Sequence, residues 1–428
     1  MYNILYYMTD YIDKSIKGLK YDYLNISKPS RHTTNPDDIL STIHNLFIEA
    51  DEYVSKKAKG SCLHYTLSKI HLISQIPKPT ILDNYFFPKI IQTYIDENAT
   101  YNIHFSCKIQ NRDVNVYFVL TNELKQGYVY ILLQYIHMMY MWIYILNEYA
   151  SNVCSKSISI YIYLTPFEKL LPNNQLVILD TEHVNTAYTT GCKKNTEIVI
   201  YRSEEWFKVF IHETFHNFGL DFSDMNLHSV NRKLKDIFNV NIEFNLYESY
   251  CEFWARTINT FMYTYQSLKI NGNANHKSYH TSFDTFKTTF KENMVNECKH
   301  SLFQALKILH FMDLNYKLIS DKKHENIGIC NYLYKEKTSV FSYYIITCLL
   351  INNYMEFMTW CYTNNNKFFQ FKKTPGNLDA YVFFIYECCK NKNIIKNTAV
   401  IEKMLHSMNN MYSSSLKMTS NNIDLLFE

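Results

Sequence analysis

The spacing of apolar residues changes from helical to alternating within the first third of the chain. Residues 35–54 begin with a capping Asn, a Pro and two Asp, and their apolar residues then recur at every third or fourth position. This pattern predicts a helix, whereas the alternating segments 102–109 and 114–120 predict the two strands of a β-hairpin. We expect residues 1–98 to be mostly helical and the hairpin to open an α+β unit.

Residues 128–146 form an uncharged and very apolar stretch of about membrane-spanning length. Gln134, His137 and five tyrosines interrupt the stretch, and no basic flank is evident. An alternating segment at residues 158–165 follows soon after and predicts a strand. These features favour a buried helix packed behind a sheet over the alternative, a membrane-spanning helix.

One more strand and one helix are predicted next. Residues 197–202 have the composition of a short strand. Residues 203–219 start at a Ser, carry two Glu in the first turn and end at a Gly, which predicts one helix.

Beyond residue 256 the spacing predicts helices throughout, among them one core helix at the apolar residues 341–360, with loops at residues 271–275 and 364–376. The chain therefore reads as an α+β fold in three parts. These are a mostly helical region at residues 1–98, an α+β subdomain at 99–222 and a mainly helical subdomain at 223–428.

A His-Glu-x-x-His motif lies at the centre of the predicted helix 203–219. His212 and His216 are four residues apart, so on a helix they share one face and both imidazoles reach one metal ion. Glu213 follows the first histidine, which places its carboxylate beside a metal-bound water rather than on the metal. Apolar residues at helical spacing predict one buried face, made of Trp206, Val209, Phe210, Phe215 and Phe218.

A catalytic zinc ion takes three protein ligands and leaves one position for water, so a third ligand is needed. Asp221 lies one residue too early for the ligand position of an extended motif, and Phe222 occupies that position. Glu248 and Glu252 are four residues apart on a predicted helix. We assign Glu248 to the metal and Glu252 to a hydrogen bond with the free ring nitrogen of a ligating histidine, with Glu252 as the alternative ligand. The other interpretation of the pair is two solvated carboxylates.

On these residues the chain resembles a zincin metallopeptidase of the gluzincin type, in which a Glu on a later helix completes the motif. The matching residues are His212, Glu213, His216 and Glu248. The resemblance covers residues 160–262, and the chain has Glu252 where the best-known members have Asp. It implies a zincin-like catalytic unit made of a small mixed sheet and the active-site helix. The whole chain also resembles predicted metallopeptidases of large DNA viruses, which would make it a viral protein.

The resemblance implies a hydrolase that binds one Zn²⁺ ion and cuts a peptide or protein substrate. Glu213 is expected to take a proton from a metal-activated water and to return it to the leaving amine. In the family, the edge strand of the sheet pairs with the extended substrate, and the residues in that place are Asn185, Thr186, Ala187 and Tyr188. A donor is also needed for the tetrahedral oxyanion, and chemically able residues nearby in sequence are Tyr247, Tyr250 and His228.

Composition narrows the class of protein. The formal net charge of +3 is small and no long Lys or Arg run is present, which disfavours nucleic-acid binding. Residues 1–10 lack a basic stretch followed by an apolar core, so no secretory signal is expected. The 11 cysteines are scattered without a Cys-x-x-Cys pair, a pattern typical of reduced thiols in an intracellular, cytoplasmic protein. Cys192 is accordingly expected to be unpaired.

Two other functions stay open on the sequence alone. One is a structural or interaction protein that keeps the zincin fold without catalysis, and the intact Glu213 argues against it. The other is a zinc hydrolase that does not cut ordinary peptides, such as a deformylase. In such enzymes a Cys normally completes the site from an upstream motif that the segment around Cys192 does not match.

Overall fold

A computed structural model describes residues 35–59, 64–83, 85–274, 282–408 and 412–427 of the chain. Three expectations fall wholly or partly outside these residues. They are the lack of a secretory signal at residues 1–10, the first part of the helical region 1–98, and Asn275 in the expected loop 271–275.

Within the described residues, six strands form one mixed sheet in the order β1-β2-β3-β4-β6-β5. The strands are β1 (His64–Lys69), β2 (Tyr101–Ile109), β3 (Arg112–Leu120), β4 (Ser157–Tyr163), β5 (Ala187–Thr189) and β6 (Asn195–Ile200). β3, β4 and β6 run parallel to one another, whereas the pairs β1/β2, β2/β3 and β5/β6 are antiparallel. The register places Val116 opposite Phe105 and Ile160, and Ile198 opposite Ile160 and Thr189. The hairpin predicted from alternation is confirmed as β2 and β3.

Helices surround the sheet and make up most of the rest of the described chain. Their bounds are α1 (Pro36–Lys59), α2 (Lys89–Asn98), α3 (Tyr128–Tyr149), α4 (Thr181–Val184), α5 (Trp206–Asn217), α6 (His228–Ile237), α7 (Leu246–Ala274), α8 (Phe283–Phe311), α9 (Tyr316–Ser320), α10 (His324–Leu333), a π-helical turn (Phe341–Ile346), α11 (Thr347–Ile351), α12 (Tyr354–Asn364), α13 (Pro375–Cys389) and α14 (Lys392–Ser407). The structure is therefore α+β, as predicted.

Both faces of the sheet are covered, because its strands alternate side chains between two apolar clusters. Val116, Ile160 and Ile198 are fully buried on the face that packs against α3, α5 and α7. On the other face, Tyr163 and Tyr201 pack beneath α2 and the segment that precedes it. The sheet thus holds α5 in the interior of the protein.

Helix α3 is the apolar segment predicted to be a core helix. Most of its apolar residues are buried against α1, β2 and α5, and the Trp142 indole donates a hydrogen bond of 2.9 Å to the Thr214 hydroxyl of α5. By length and composition, α3 is also the one helix of the described residues that could cross a membrane.

Two local expectations are wrong. Residues 271–274 were expected to form a loop, but they are the last residues of α7, which continues through an Asn-Gly segment to Ala274. The apolar stretch 341–360 is not one helix: it starts as a π-helical turn and is interrupted at Asn352 and Asn353. The Asn353 side chain bonds the Leu349 carbonyl, which competes with the regular helical bonding there.

The cysteine pattern was misinterpreted in one respect. Cys154 and Cys192 form a disulfide across 38 residues of sequence, so Cys192 is not unpaired. The fold brings the turn before β4 against the loop between β5 and β6, and that proximity leaves no trace in cysteine spacing. Of the other described cysteines, Cys107 is half-buried and the remainder are free and buried.

Glu336 is predicted to make folding stability depend on pH. Its carboxylate accepts hydrogen bonds of 2.7 Å from the Tyr334 hydroxyl and the Phe341 amide, and burial raises its pKa to about 7. The folded state therefore keeps a proton that the unfolded chain releases near pH 4.5. This stabilisation is complete below that pH and is lost as the pH rises through 7.

We expect the free energy of unfolding to fall by about 3 kcal/mol more in the wild type than in Glu336→Gln between pH 4.5 and 7.5. Urea denaturation of both proteins at the two pH values measures the difference. Glu243→Gln, at a carboxylate whose side chain is 76% exposed, is the control. Parallel pH dependence in the wild type and Glu336→Gln would contradict the prediction.

Candidate metal centre

Helix α5 carries the His-Glu-x-x-His motif through the middle of the protein. Nearly all of its residues are buried, because it lies between the sheet on one side and α3 and α7 on the others. The prediction that one face of this helix is buried is therefore too limited, because the helix is buried on nearly all sides. The helix also starts three residues later than expected, at Trp206, because Glu205 has a left-handed backbone with φ of +58°. Gly219, with φ of +68°, follows its end as predicted.

Helix α7 packs against α5 and supplies the two predicted carboxylates. The Glu248 Oε2 atom lies 3.1 Å from His212 Nε2 and 3.3 Å from His216 Nε2. The two Nε2 atoms are 3.2 Å apart. The fold thus brings together the three residues that the sequence predicted as metal ligands.

These three atoms fit a zinc ion. Tetrahedral zinc with bonds of about 2.0–2.1 Å separates neighbouring ligand atoms by about 3.3 Å. The observed separations of 3.1, 3.2 and 3.3 Å form a nearly equilateral triangle of that size. Two imidazole nitrogens and one carboxylate oxygen are also a donor set that suits zinc.

The other ring nitrogen of each histidine faces a carboxylate. His212 Nδ1 lies 3.1 Å from Glu252 Oε2, and His216 Nδ1 is in short contact with Asp221 Oδ2. An ionised carboxylate is only an acceptor, so each Nδ1 donates its proton to its partner, and each Nε2 would be free to bind a metal once its own proton has left. Glu252 therefore occupies the position expected for it, beside a ligating histidine.

Protons and a metal compete for this centre. Burial disfavours the charge of His212, but hydrogen bonds with Glu248 and Glu252 outweigh burial and raise its pKa. The pKa of His216 is raised well above its ordinary value in the same way, against burial, by neighbouring anionic groups that include Glu248 and Asp221. Metal binding must therefore release protons, and the affinity of the centre for a metal falls as the pH falls.

Glu213 is the predicted general base, and it lies beside the triad without joining it. It is 8% exposed, and none of the described residues forms a hydrogen bond with its carboxylate. Burial raises its pKa, which makes the carboxylate a stronger base than one in water. A cavity of about 30 Å³ is lined by both His212 and Glu213.

The predicted edge strand also lines this cavity. β5 is the last strand of the sheet, and the carbonyl of Thr186 and the amide of Thr190 bond β6. By alternation, the backbone groups of Ala187 point away from β6, to the terminal edge of the sheet, where an extended peptide would pair; the residue itself is 4% exposed. Arg202 fixes the approach to this strand by donating hydrogen bonds to the carbonyls of Asn185, Glu168 and Glu182. The side chain of Tyr188 lies on the opposite face of the sheet and donates to the Ile81 carbonyl.

The three residues named as oxyanion donors are dispersed. The Tyr250 hydroxyl is fully buried and bonds the Phe369 carbonyl and Asn365, so it is a core residue and the expectation for it is wrong. His228 is exposed at the start of α6. Tyr247 lies near the centre, with its ring centroid 6.0 Å from that of His216.

Tyr343 is a better-placed tyrosine that the sequence did not indicate. Its ring centroid lies 5.9 Å from that of His212, and it lines the same cavity as Glu213. Among the described residues its hydroxyl has no hydrogen-bond partner, although the side chain is only 9% exposed. It belongs to the π-helical turn, and such turns occur frequently at functional sites. The apolar spacing of this segment is that of an ordinary helix, so no sequence signal pointed to Tyr343.

Buried ion pairs support α5 from behind. Lys208, one turn before His212, donates to both oxygens of Glu252 at 2.9 and 3.1 Å. Lys169 pairs with Glu205, the residue before the helix. Residues 412–427, here called the C-terminal strap, run past these pairs: the Leu416 amide bonds the Lys169 carbonyl and the Thr419 amide bonds Glu205. Glu204 and Glu205 thus serve packing and charge pairing rather than the first turn of the helix.

Comparison of the chain with protein-family models, with curated proteins and with solved structures finds no match.

Proposed function

We propose that the protein is a zinc-dependent metallopeptidase, a hydrolase that cuts peptide bonds in a zincin-like catalytic unit. The observation that carries the proposal is the triangle formed by His212 Nε2, His216 Nε2 and Glu248 Oε2, with edges of 3.1 to 3.3 Å. The buried carboxylate of Glu213 lies beside this triangle without being one of its three corners. The edge strand β5 lines the same cavity as Glu213. Together these supply a metal site, a base and a peptide-binding edge.

When bound at this centre, zinc supplies a Lewis acid and lowers the pKa of a coordinated water to about 7. His212, His216 and Glu248 hold the ion, while Glu252 and Asp221 fix the orientation of the imidazoles. The backbone of Ala187 holds the substrate extended. Glu213 takes the proton of the attacking water and passes it to the leaving amine nitrogen.

Tyr343 is assigned the role of oxyanion donor, because its hydroxyl is unpaired among the described residues and the residue lines the same cavity as Glu213. Burial raises its pKa well above the ordinary value, so the hydroxyl keeps its proton and remains a donor at neutral pH. We expect Tyr343→Phe to lower kcat by about 100-fold while zinc content is unchanged. Steady-state kinetics with a cleaved peptide, together with elemental analysis, measures both quantities.

Two further variants calibrate the Tyr343 result. Tyr332→Phe removes a hydroxyl from a side chain that is 80% exposed and should leave kcat unchanged. Tyr247→Phe tests the neighbouring tyrosine near His216. A larger loss of kcat in Tyr247→Phe than in Tyr343→Phe would reverse the assignment.

The direct test of the proposal is elemental analysis of the purified protein followed by incubation with a broad peptide library. We expect about one zinc ion per chain and cleavage that a chelator abolishes and added zinc restores. A zinc-loaded protein that cleaves no peptide would support the alternative of an inert structural scaffold. If the protein binds no zinc after a metal-replete preparation, the proposed metal site itself is contradicted.

A further inference from the structure

The cavity beside His212 and Glu213 extends beyond the reacting groups. One part of its wall is the edge-strand segment with Thr186 and Ala187, and other parts are Lys169, Lys208 and Met418. A peptide paired with β5 therefore lies along this cavity. A group of such a peptide next to the cleaved bond would enter the cavity. The residues of the cavity wall would then determine which substrates bind.

The two lysines differ in how their donors are used. An ammonium group has three N–H donors. Lys208 uses its three on Glu252 Oε1, Glu252 Oε2 and the Met418 sulfur, at 2.9, 3.1 and 3.5 Å. Lys169 is completely buried, and among the described residues the side chain of Glu205 is the one acceptor for its ammonium group. Two N–H donors of Lys169 thus have no acceptor among the described residues, and Lys169 is part of the cavity wall.

We propose that the cavity binds a carboxylate of the substrate, located on the residue next to the cleaved bond. A carboxylate offers two oxygens with several lone pairs, and its hydrogen bonds with an ammonium group are charge-assisted. The cavity of about 30 Å³ has room for about two water molecules, so it suits a compact polar group rather than a large aliphatic or aromatic one. This inference rests on the proposed peptidase function.

Such a carboxylate has two sources, which distinguish two kinds of peptidase. It is the side chain of an Asp or Glu within a longer substrate, or it is the free C-terminal carboxylate of a substrate from which one residue is removed. Both present the same chemistry to Lys169. Matched peptides separate them.

The experiment uses the zinc-loaded wild-type protein and two pairs of peptides built on one cleaved sequence. In the first pair, Glu or Gln stands next to the cleaved bond and the C-terminus is amidated. In the second pair, a neutral residue follows that bond and ends in a free carboxylate or an amide. We expect at least a tenfold higher kcat/KM for the carboxylate member of one pair, and that pair identifies the source. Equal rates within both pairs would overturn the inference while leaving the peptidase function intact.

Lys169→Met is the matched variant, and we expect it to reduce the preference for the carboxylate to about one. Lys307→Met is its control, because Lys307 is also buried and bonds the carbonyls of Ser413 and Ser415 in the C-terminal strap, but it does not line the cavity. The preference should survive in Lys307→Met. Loss of the carboxylate preference in both variants would mean that it depends on the C-terminal strap in general. That result would overturn the role of Lys169.

Binding provides a readout that does not depend on turnover or on the folding of Lys169→Met. In the Glu213→Gln background, fluorescence anisotropy should give a Kd at least tenfold lower for the carboxylate member of the preferred pair. If zinc is bound and no peptide is cleaved, the peptidase function fails, and equal Kd values within each pair then overturn the carboxylate site as well.

Discussion

Replacing Glu213 with Gln is expected to leave zinc bound and to lower kcat by about 10²- to 10⁴-fold. Glutamine keeps the shape of the side chain, but it cannot take a proton from water at neutral pH. The structure gives the carboxylate no competing hydrogen bond among the described residues, and it places Glu213 on the same cavity as His212. Steady-state kinetics on a cleaved peptide and elemental analysis of the same preparation measure the two effects.

Glu243→Gln is the control for this substitution, since it changes an exposed carboxylate to the same amide and should alter neither quantity. A Glu213→Gln protein with wild-type kcat would place the base elsewhere. Loss of zinc from the variant would instead mean that Glu213 is a ligand, contrary to its position outside the triangle of donor atoms.

Replacing Glu248 with Ala is expected to abolish stoichiometric zinc binding. Its Oε2 atom lies within 3.3 Å of both histidine Nε2 atoms, so its removal leaves two ligands and an open centre. Glu252→Ala should instead weaken zinc binding by about 10- to 100-fold, because Glu252 orients His212 without reaching the centre. Titration of each apoprotein with zinc against a competing chelator gives the two affinities.

Comparing the zinc affinities of Glu248→Ala and Glu252→Ala tests which of the two glutamates is the ligand. Zinc retained in Glu248→Ala and lost in Glu252→Ala would exchange their roles. Because Glu252 also neutralises buried Lys208, the folding of Glu252→Ala is checked by thermal denaturation at a pH where the wild type is stable.

Local spacing predicted the parts of the centre that lie on single helices. Two histidines at a separation of four residues must share a helix face, and so must Glu248 and Glu252. The edge strand was predicted from the family resemblance, because the segment precedes a second strand and the motif helix. The packing of α7 on α5 was expected because the predicted metal needs a third ligand, which Glu248 supplies.

The rest of the centre depends on contacts that sequence spacing does not encode. Asp221 was rejected as a ligand for being one residue early, and the structure gives the reason: it bonds the far side of His216. Tyr343 reaches the cavity from more than a hundred residues downstream, on a turn whose π-helical geometry has no simple pattern. Lys169 pairs with Glu205 across 36 residues of sequence, so its unpaired donors appear only after the fold is known.

The C-terminal strap has a consequence for the timing of protein synthesis. Glu297, which is buried with Arg256, accepts hydrogen bonds from Thr419 and Ser420, and the Trp206 indole at the start of α5 donates to Asp424. A nascent chain that has emerged only as far as α14 contains the three predicted metal ligands. It still lacks Thr419, Ser420 and Asp424, which form the hydrogen bonds with Glu297 and Trp206. Because the strap follows α14 in the chain, these hydrogen bonds form only after residues 412–427 have been synthesised, later than the three predicted metal ligands.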